Sequence, residues 1–202
     1  NTCRALQEDW SRLMIRRFVK KIFNRQTAPA VQRDPAIIPV KTHGITRDML
    51  SRGAERVCED LERAGYRAYV VGGAVRDLLL NRDPKDFDIA TNATPEQVRR
   101  CCRRSRIIGR RFQIVHVMVG QELIEVTTFR ALHEDASATD EHGRVLRDNT
   151  FGSQSDDAAR RDFTVNALYY DPYDETIHDY HHGYADLKQR TLRMIGDPQV
   201  RY

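Results

Sequence analysis

The chain has 202 residues, enough for one well-buried domain with a short extension and too few for two large domains. Hydrophobic residues make up 40% and charged residues 31%, as in globular proteins with a highly charged surface, and no apolar run approaches the roughly 18–20 residues of a membrane span. The net charge is +4, and it is concentrated in residues 1–35, with eight Lys or Arg against three acids, and in residues 99–111, with seven arginines and no acid, which suggests a polyanionic partner.

The cysteines and the first residues both predict a cytoplasmic location. Cys3, Cys58, Cys101 and Cys102 form no C-x-x-C pair, and the two adjacent ones are poorly placed for a structural zinc site. Residues 1–13 lack the apolar core of a signal peptide. We therefore expect reduced thiols in a cytoplasmic protein.

Residues 1–35 are predicted to form a basic, flexible extension. Within it, residues 14–23 place apolar side chains at helical spacing, opposite four Lys and Arg side chains. Such a helix is suited to peripheral contact with anionic lipid or with RNA, and the alternative is a frayed terminus that orders only on contact. Three prolines within residues 26–42 indicate a linker.

The first predicted elements of the globular part are a helix, a strand and a shorter helix. The long helix opens at Thr46 and ends at Gly65, where a C-cap belongs. Its apolar stripe consists of Leu50, Ala54, Val57, Leu61 and Ala64. Residues 66–71 are β-prone and run into a pair of glycines, after which residues 74–80 form the short helix. Residues 85–90 then alternate polar and apolar, as a half-buried strand does.

The later elements mix helices with hairpin-linked strands. Thr94 begins a capping box with proline at the first helical position, which predicts a helix through about Arg104. The remaining elements are strands near 112–119 and 122–129, a long polar loop over 135–155, a helix near 156–166, and a hairpin of residues 167–170 and 176–180. This order predicts an α+β fold rather than a doubly wound sheet.

Asp86 and Asp88 are the central pair of candidate functional residues. Positions i and i+2 of a strand share a face, about 6.5–7 Å apart, so both carboxylates face solvent while Phe87 and Ile89 face the core. Two like charges on one face repel unless a cation compensates for them, and carboxylate oxygens suit Mg²⁺. Taken alone, alternating acids are usually only a solvated strand face.

The glycine pair Gly72-Gly73 favours a ligand site beside these acids, and its structural alternative is an ordinary tight turn. Two glycines between a strand and a helix let the backbone approach a ligand closely and leave N–H groups to cradle phosphate. Arg76 lies one turn into that helix, where we expect its guanidinium to add a charge-assisted contact to the same phosphates. No P-loop and no dinucleotide-binding glycine pattern occurs in the sequence.

Three segments carry a resemblance to a known family. Residues 69–80 (YVVGGAVRDLLL) and 84–91 (PKDFDIAT) resemble the first motif of the class II nucleotidyltransferases, which include the bacterial poly(A) polymerases and the CCA-adding enzymes. Residues 160–168 (RRDFTVNAL) resemble their second motif. The resemblance extends over roughly residues 36–202 and implies a polymerase-β-like catalytic head over 36–195, with residues 196–202 beginning a neck region that is cut short here.

The resemblance also implies ligands and site residues. It implies a nucleoside triphosphate donor and two Mg²⁺ ions, with Mn²⁺ as an alternative, held by Asp86 and Asp88. It places the triphosphate near Gly72, Gly73 and Arg76, and it places the sugar and phosphates of the nucleotide near Arg161, Asp162 and Asn166.

The second motif and one further strand acid offer other catalytic candidates. Asp162 and Asn166 are four apart, so on a helix they share a face above the packed pair Phe163 and Ala167. The structural alternative for Asp162 is a salt bridge with a neighbouring arginine at a helix end. Glu125 is a candidate third metal-binding carboxylate, and its alternative is a strand acid paired with an arginine.

Two segments favour one branch of the family. Residues 107–117 and 147–152, together with the basic leader, resemble the poly(A) polymerase branch, which predicts polyadenylation of RNA 3′ ends from ATP. The alternative within the family is a CCA-adding tRNA nucleotidyltransferase. An alternative of another class is a non-catalytic RNA-binding module, which would have no need to keep Asp86, Asp88 and Asp162. His116 is interpreted as a packed histidine rather than a catalyst.

Overall fold

A computed structural model describes residues 34–110, 112–131 and 151–197. The predicted helix at 14–23, most of the predicted loop at 135–155 and the chain after residue 197 lie outside this description. None of the helices in the three described stretches combines the length and the apolar character that a bilayer span requires.

The described residues form one mixed sheet of eight strands. The strands are β1 (Ala36–Pro39), β2 (Ala68–Val71), β3 (Asp88–Thr91), β4 (Ser105–Ile108), β5 (Ile114–Val119), β6 (Glu122–Thr128), β7 (Leu168–Asp171) and β8 (Thr176–Asp179). Their order across the sheet is β1-β8-β7-β2-β3-β6-β5-β4, and β3 pairs with β6 in parallel while the other neighbours are antiparallel. The predicted α+β class is confirmed.

Short helices connect and cover these strands. The α-helices are α1 (Val40–His43), α2 (Arg52–Arg63), α3 (Gly73–Leu79), α4 (Pro95–Cys101), α5 (Gln154–Ala159) and α6 (Gly183–Lys188), and there are 3₁₀ turns at Arg47–Met49 and Thr164–Asn166. Helices α2 and α4 pack on β5 and β6. They bury Val57, Leu61 and Val98 in one core with Ile124 and Val126.

A smaller aromatic cluster lies on the opposite face of the sheet. It contains Tyr69, Phe129, Tyr169 and Tyr180, and the Tyr169 ring meets each of the other three at 79–88° with ring centres 6.2–6.4 Å apart. Edge-to-face contacts of this kind add to the gain from burying the rings. The candidate site lies on this same face of the sheet.

Two helix boundaries differ from the sequence predictions. Helix α2 begins at Arg52 rather than at Thr46, because the Ser51 hydroxyl caps it by accepting a hydrogen bond from Ala54 N. The capping box at Thr94 is confirmed, but α4 ends at Cys101. Ser105–Ile108, within the arginine-rich stretch, form edge strand β4, which was not predicted from the sequence.

The helix predicted near 156–166 is wrong in its second half. Helix α5 ends at Ala159, and the chain turns and then pairs with residues 193–195 through Thr164 N to Arg193 O and Ile195 N to Asp162 O. These backbone bonds replace those that a continued helix would make. Asp162 and Asn166 therefore do not share a helix face as predicted.

Candidate active site

Asp88 begins β3, the strand that lies between β2 and β6. It pairs with Val71, the last residue of β2, and on its other side with Glu125 of β6. Directly opposed residues point to the same face of a sheet. The Asp88 carboxylate therefore lies between the glycine turn that follows β2 and a second acid on β6.

The alternation predicted around Asp86 and Asp88 is confirmed by their exposure. Both aspartates are exposed, whereas Phe87 and Ile89 are buried. The strand is shorter than predicted and begins at Asp88, so Asp86 lies just before it. The two carboxylates face solvent near one another, while Phe87 and Ile89 hold the backbone against the core.

The surroundings of Asp88 oppose its negative charge. Partial burial raises the pKa of the Asp88 carboxyl, the neighbouring carboxylates of Glu125 and Asp86 raise it further, and Arg161 lowers it. The net direction is upward, although the side chain keeps access to solvent. A carboxylate destabilised in this way gains from a bound cation.

The glycine turn adjoins this carboxylate. Gly72 has φ +79° and ψ −135°, a conformation that only glycine adopts without strain. A methyl group at this position would lie 3.8 Å from both Arg161 Nη1 and Asp88 Oδ2. A methyl group added at Gly73, the first residue of α3, would lie 3.5 Å from Arg76 Nη2. The turn thus leaves open space between a carboxylate and two guanidinium groups.

Arg161 is held in place from behind by two buried side chains. Its Nη2 donates to Asp157 Oδ2 at 3.2 Å, and its Nε donates to the Tyr169 hydroxyl at 2.9 Å. Tyr169 in turn donates to the same Asp157 oxygen at 2.8 Å. The three side chains close a triangle, so the guanidinium has one orientation, with Nη1 toward Gly72.

The charge states of this triangle follow from burial and pairing. Burial disfavours the charged guanidinium, but Tyr169 and Asp157 outweigh it, and the pKa of Arg161 is raised. Burial raises the pKa of Tyr169 well above its ordinary value, so the hydroxyl keeps its proton and donates to Asp157. Tyr169 reaches Arg161 because β7 pairs it with Val71, next to the turn.

A second arginine is fixed on the other side of the glycine turn. Arg76 donates from Nη1 to Asn166 Oδ1 at 2.9 Å and from Nε to Asp77 Oδ1 at 2.9 Å. Asn166 also accepts a hydrogen bond at its carbonyl from Arg161 Nη1, at 3.5 Å. Asn166 therefore links the two guanidinium groups, and they flank the glycines as a pair.

Asp162 is not brought into this cluster. Its Oδ1 accepts a hydrogen bond from the backbone of Phe163 at 2.8 Å, which stabilises the turn after α5. The carboxylate is exposed. Among the predicted site residues, Gly72, Arg161 and Asp88 meet directly, whereas a role for Asp162 stays a prediction.

Glu125 has a histidine partner rather than the arginine considered from the sequence. His116 Nε2 lies 3.3 Å from Glu125 Oε1, and the two residues face each other across β5 and β6. Their side chains are 31% and 46% exposed. The prediction that His116 is a packed residue is thus only half right, because it is partly open and paired with the acid beside Asp88.

The acidic side chains around Asp88 supply oxygen donors for a divalent cation. In the described ranges no group of three or more His, Cys, Asp or Glu side chains is arranged to hold a metal ion. Mg²⁺, however, is usually bound by one or two carboxylates together with substrate phosphates and water. Asp88, with Asp86 and Glu125 beside it, fits that requirement in donor type and in its raised pKa.

Two residues of the site escaped the sequence analysis. Asp157 lies four residues before Arg161, a spacing that suggests contact. Nothing local marks Tyr169, because its position depends on the pairing of β7 with β2.

Comparison with known proteins agrees with this arrangement. The family model described as the poly A polymerase head domain matches residues 68–193, which include all the residues of the cluster. The chain belongs to this family. The head has the fold of polymerase-β-like nucleotidyltransferases, with a mixed sheet flanked by helices.

Individual relatives of this head domain include both branches of the family. The chain is 48% identical over 195 residues to poly(A) polymerase I of Salmonella typhimurium, which covers 92% of this chain and 42% of the relative. It is 40% identical over 146 residues to the CCA-adding enzyme of Lactobacillus helveticus, which covers 72% of this chain and 35% of the relative. The chain thus spans less than half the length of these relatives.

A solved structure shares the fold. The CCA-adding enzyme of Bacillus stearothermophilus in complex with CTP superposes with a TM-score of 0.62 at 36% identity, over 74% of this chain and 34% of that one. The head domain described here is therefore one part of a longer architecture in its relatives.

Proposed function

We propose that this head domain catalyses nucleotide addition to RNA 3′ ends, and that it polyadenylates RNA from ATP with release of pyrophosphate. One observation carries the proposal: Asp88 lies against the Gly72 turn and Arg161 on one side and against Glu125 on the other. The groups proposed to bind the triphosphate and those proposed to bind the metal ions therefore lie within one small volume. The similarity to poly(A) polymerase I over most of the chain supports ATP as the donor.

The chain contributes binding and orientation of the triphosphate. Gly72 and Gly73 let phosphate oxygens approach the backbone without steric conflict. Arg161 and Arg76, each fixed by hydrogen bonds, offer charged N–H groups that neutralise the phosphates. Because the guanidinium groups are already oriented, little ordering is needed when the leaving pyrophosphate gains charge. Asp162 is proposed to contact the sugar from the exposed edge.

The acidic side of the site is proposed to hold the acceptor hydroxyl in place. Asp86 and Asp88 would hold two Mg²⁺ or Mn²⁺ ions with Glu125 as a third carboxylate, and such ions activate the 3′-hydroxyl and stabilise charge in an in-line displacement. The carboxylates themselves set the position of the attacking oxygen relative to the α-phosphate, and this positioning is the main catalytic contribution of the protein.

A nucleotide-choice assay tests the proposed function. The full-length protein is supplied with ATP alone or CTP alone, on oligo(A) and on tRNA that lacks its terminal CCA. Long tails from ATP alone support polyadenylation. Uptake of CTP by the shortened tRNA supports the CCA-adding alternative, which the likeness to the CTP-bound CCA-adding enzyme favours.

The same assay separates catalysis from simple RNA binding. Salt-sensitive binding of RNA with no incorporation in Mg²⁺ or Mn²⁺ would indicate a non-catalytic RNA-binding module. Asp60→Asn serves as the control for Asp88→Asn in this assay, because Asp60 lies on α2 in a surface ion pair with Arg56.

A cytoplasmic location also belongs to the proposal. Cys58, Cys101 and Cys102 are free thiols in the described part of the chain. Reduced thiols fit the cytoplasm, where ATP and RNA meet.

A further inference from the structure

The half of the sheet formed by β4, β5 and β6 has two unlike faces. One face is buried against α2 and α4 through Val115, Val117, Ile124 and Val126. The alternate residues, which point to the other face, are exposed or half-buried. This second face, called here the open face, is continuous with the side of β3 that presents Asp88, because opposed residues point the same way.

Four side chains form a straight row across the open face. Asp88 pairs with Glu125, Glu125 with His116, and His116 with Arg106 on edge strand β4. Neighbouring strands are about 4.8 Å apart, so the row runs about 14 Å from Asp88 to Arg106. It leads from the candidate active site to the edge of the sheet.

The charge along this row changes from negative at Asp88 to positive at Arg106. It begins with the carboxylates of Asp88 and Glu125, continues with His116 paired to Glu125 at 3.3 Å, and ends at exposed Arg106. Residues 99–111 around Arg106 contain no acid. An RNA 3′ end has the matching order, with a neutral hydroxyl at its tip and anionic phosphates behind it.

The triphosphate groups lie on the opposite side of Asp88. Gly72 follows β2, and Arg161 is anchored to Tyr169 on β7, so both lie across β3 from Glu125. In-line displacement requires the attacking oxygen and the leaving pyrophosphate on opposite sides of the α-phosphate. The side of Asp88 toward β6 is therefore the one from which the acceptor must approach.

We propose that the row Glu125, His116 and Arg106 is the path by which the RNA 3′ segment enters the site, with Arg106 contacting its backbone. The inference rests on the proposed function and adds to it a direction of entry and named contacts. Leu123 and Ile108, 43% and 37% exposed on the same face, provide apolar surface for the bases. Contacts of this type bind RNA without reading its sequence, as tail synthesis requires.

The test measures RNA binding and turnover separately for Arg106→Gln in the full-length protein. Its matched control is Arg99→Gln, which removes the same charge from the same basic segment. Arg99 is exposed on α4, which lies on the opposite face of the sheet. Binding of 5′-labelled oligo(A) is followed by fluorescence anisotropy without nucleotide, over a range of salt concentrations. Steady-state assays then give the KM for oligo(A) and the KM for ATP.

Arg106→Gln should weaken oligo(A) binding about 5- to 10-fold at low salt and reduce the slope of log K against log salt by about one. The KM for oligo(A) should rise in parallel, whereas the KM for ATP stays within about twofold, and Arg99→Gln should change none of these. Equal losses in both variants, or no loss in Arg106→Gln, would overturn the proposal and assign the open face to another occupant, such as a protein partner.

A crosslinking experiment locates the RNA directly. Oligo(A) with a photoreactive nucleotide second or third from the 3′ end should crosslink to peptides of β4–β6, and crosslinks confined to other elements would contradict the path. Failure of the wild type to incorporate any nucleotide would remove the proposed function, while the anisotropy and crosslinking results would still judge the RNA path by themselves.

Discussion

Removal of one hydroxyl group tests whether the triangle behind Arg161 orients the guanidinium. Tyr169→Phe keeps the ring in its aromatic cluster but removes the atom that accepts from Arg161 Nε at 2.9 Å and donates to Asp157 Oδ2 at 2.8 Å. Hydrogen bonds to charged groups contribute about 1.5–3 kcal/mol each. Arg161 keeps its other bond to Asp157, at 3.2 Å. Transition-state stabilisation should therefore fall by less than the full energy of the two lost hydrogen bonds.

We expect kcat/KM for ATP to fall about tenfold in Tyr169→Phe, which corresponds to about 1.4 kcal/mol. The matched control is Tyr180→Phe, since that hydroxyl donates to Gln154 at 2.9 Å and its ring packs on Tyr169, but it has no bond to Arg161. Both variants should lose about 1–2 kcal/mol of unfolding free energy. Only Tyr169→Phe should lose activity beyond that explained by stability.

A double-mutant cycle with Arg161→Lys tests whether Tyr169→Phe lowers kcat/KM through Arg161. Lysine has no planar fork and cannot reproduce the paired bonds to Tyr169 and Asp157. If Tyr169 acts by orienting Arg161, adding Tyr169→Phe to Arg161→Lys should reduce kcat/KM little further, giving a coupling energy of about 1 kcal/mol. Strictly additive losses would refute the orienting role and leave Tyr169 as a packing residue.

Three other substitutions test the site and its support. Asp88→Asn should reduce incorporation by several orders of magnitude. Because the pKa of Asp88 is raised, its ionisation opposes folding, so the metal-free Tm of the variant at pH 7 should not fall below that of the wild type, and any gain should disappear as the pH falls below the carboxyl pKa. Gly72→Ala should lower the free energy of unfolding by about 1–2 kcal/mol and raise the KM for ATP. Gly44→Ala is the control, because Gly44 also has a positive φ but has open space around it, and it should lower stability alone. Urea unfolding measures the stability of both variants, and steady-state kinetics measures the KM. Asp186→Ala should cost about 3–5 kcal/mol in urea unfolding, because buried Asp186 binds Arg193 and the Thr164 hydroxyl beside the turn that carries Asn166.

The sequence predicted the residues of the site where the signal was local. The glycine turn, the short helix after it and the alternation of Asp86 to Ile89 lie within one stretch of chain, so spacing alone places Asp88 near Gly72. The hairpin strands β5 and β6 and the capping box at Thr94 were predicted for the same reason.

The errors arose where distant segments decide the structure. Helix α5 stops at Ala159 because residues 193–195 supply backbone partners to the chain that follows, and no helix-ending signal marks that point. Edge strand β4 forms because β5 lies beside it, and no local pattern in Ser105–Ile108 predicted a strand there. The link from Tyr169 to Arg161 likewise depends on β7 pairing with β2.

The site combines residues of β3, β6 and β7, which leave the ribosome at different times during synthesis. Asp88 leaves the ribosome well before Glu125, and Tyr169, which anchors Arg161, follows much later. A nascent chain that has reached only β6 would already present its acids but would have no oriented guanidinium to hold a triphosphate. If Arg161 holds the triphosphate as proposed, we expect nucleotide binding to begin only after β7 has joined the sheet. A ribosome-stalled series of increasing length should then acquire it in a single late step.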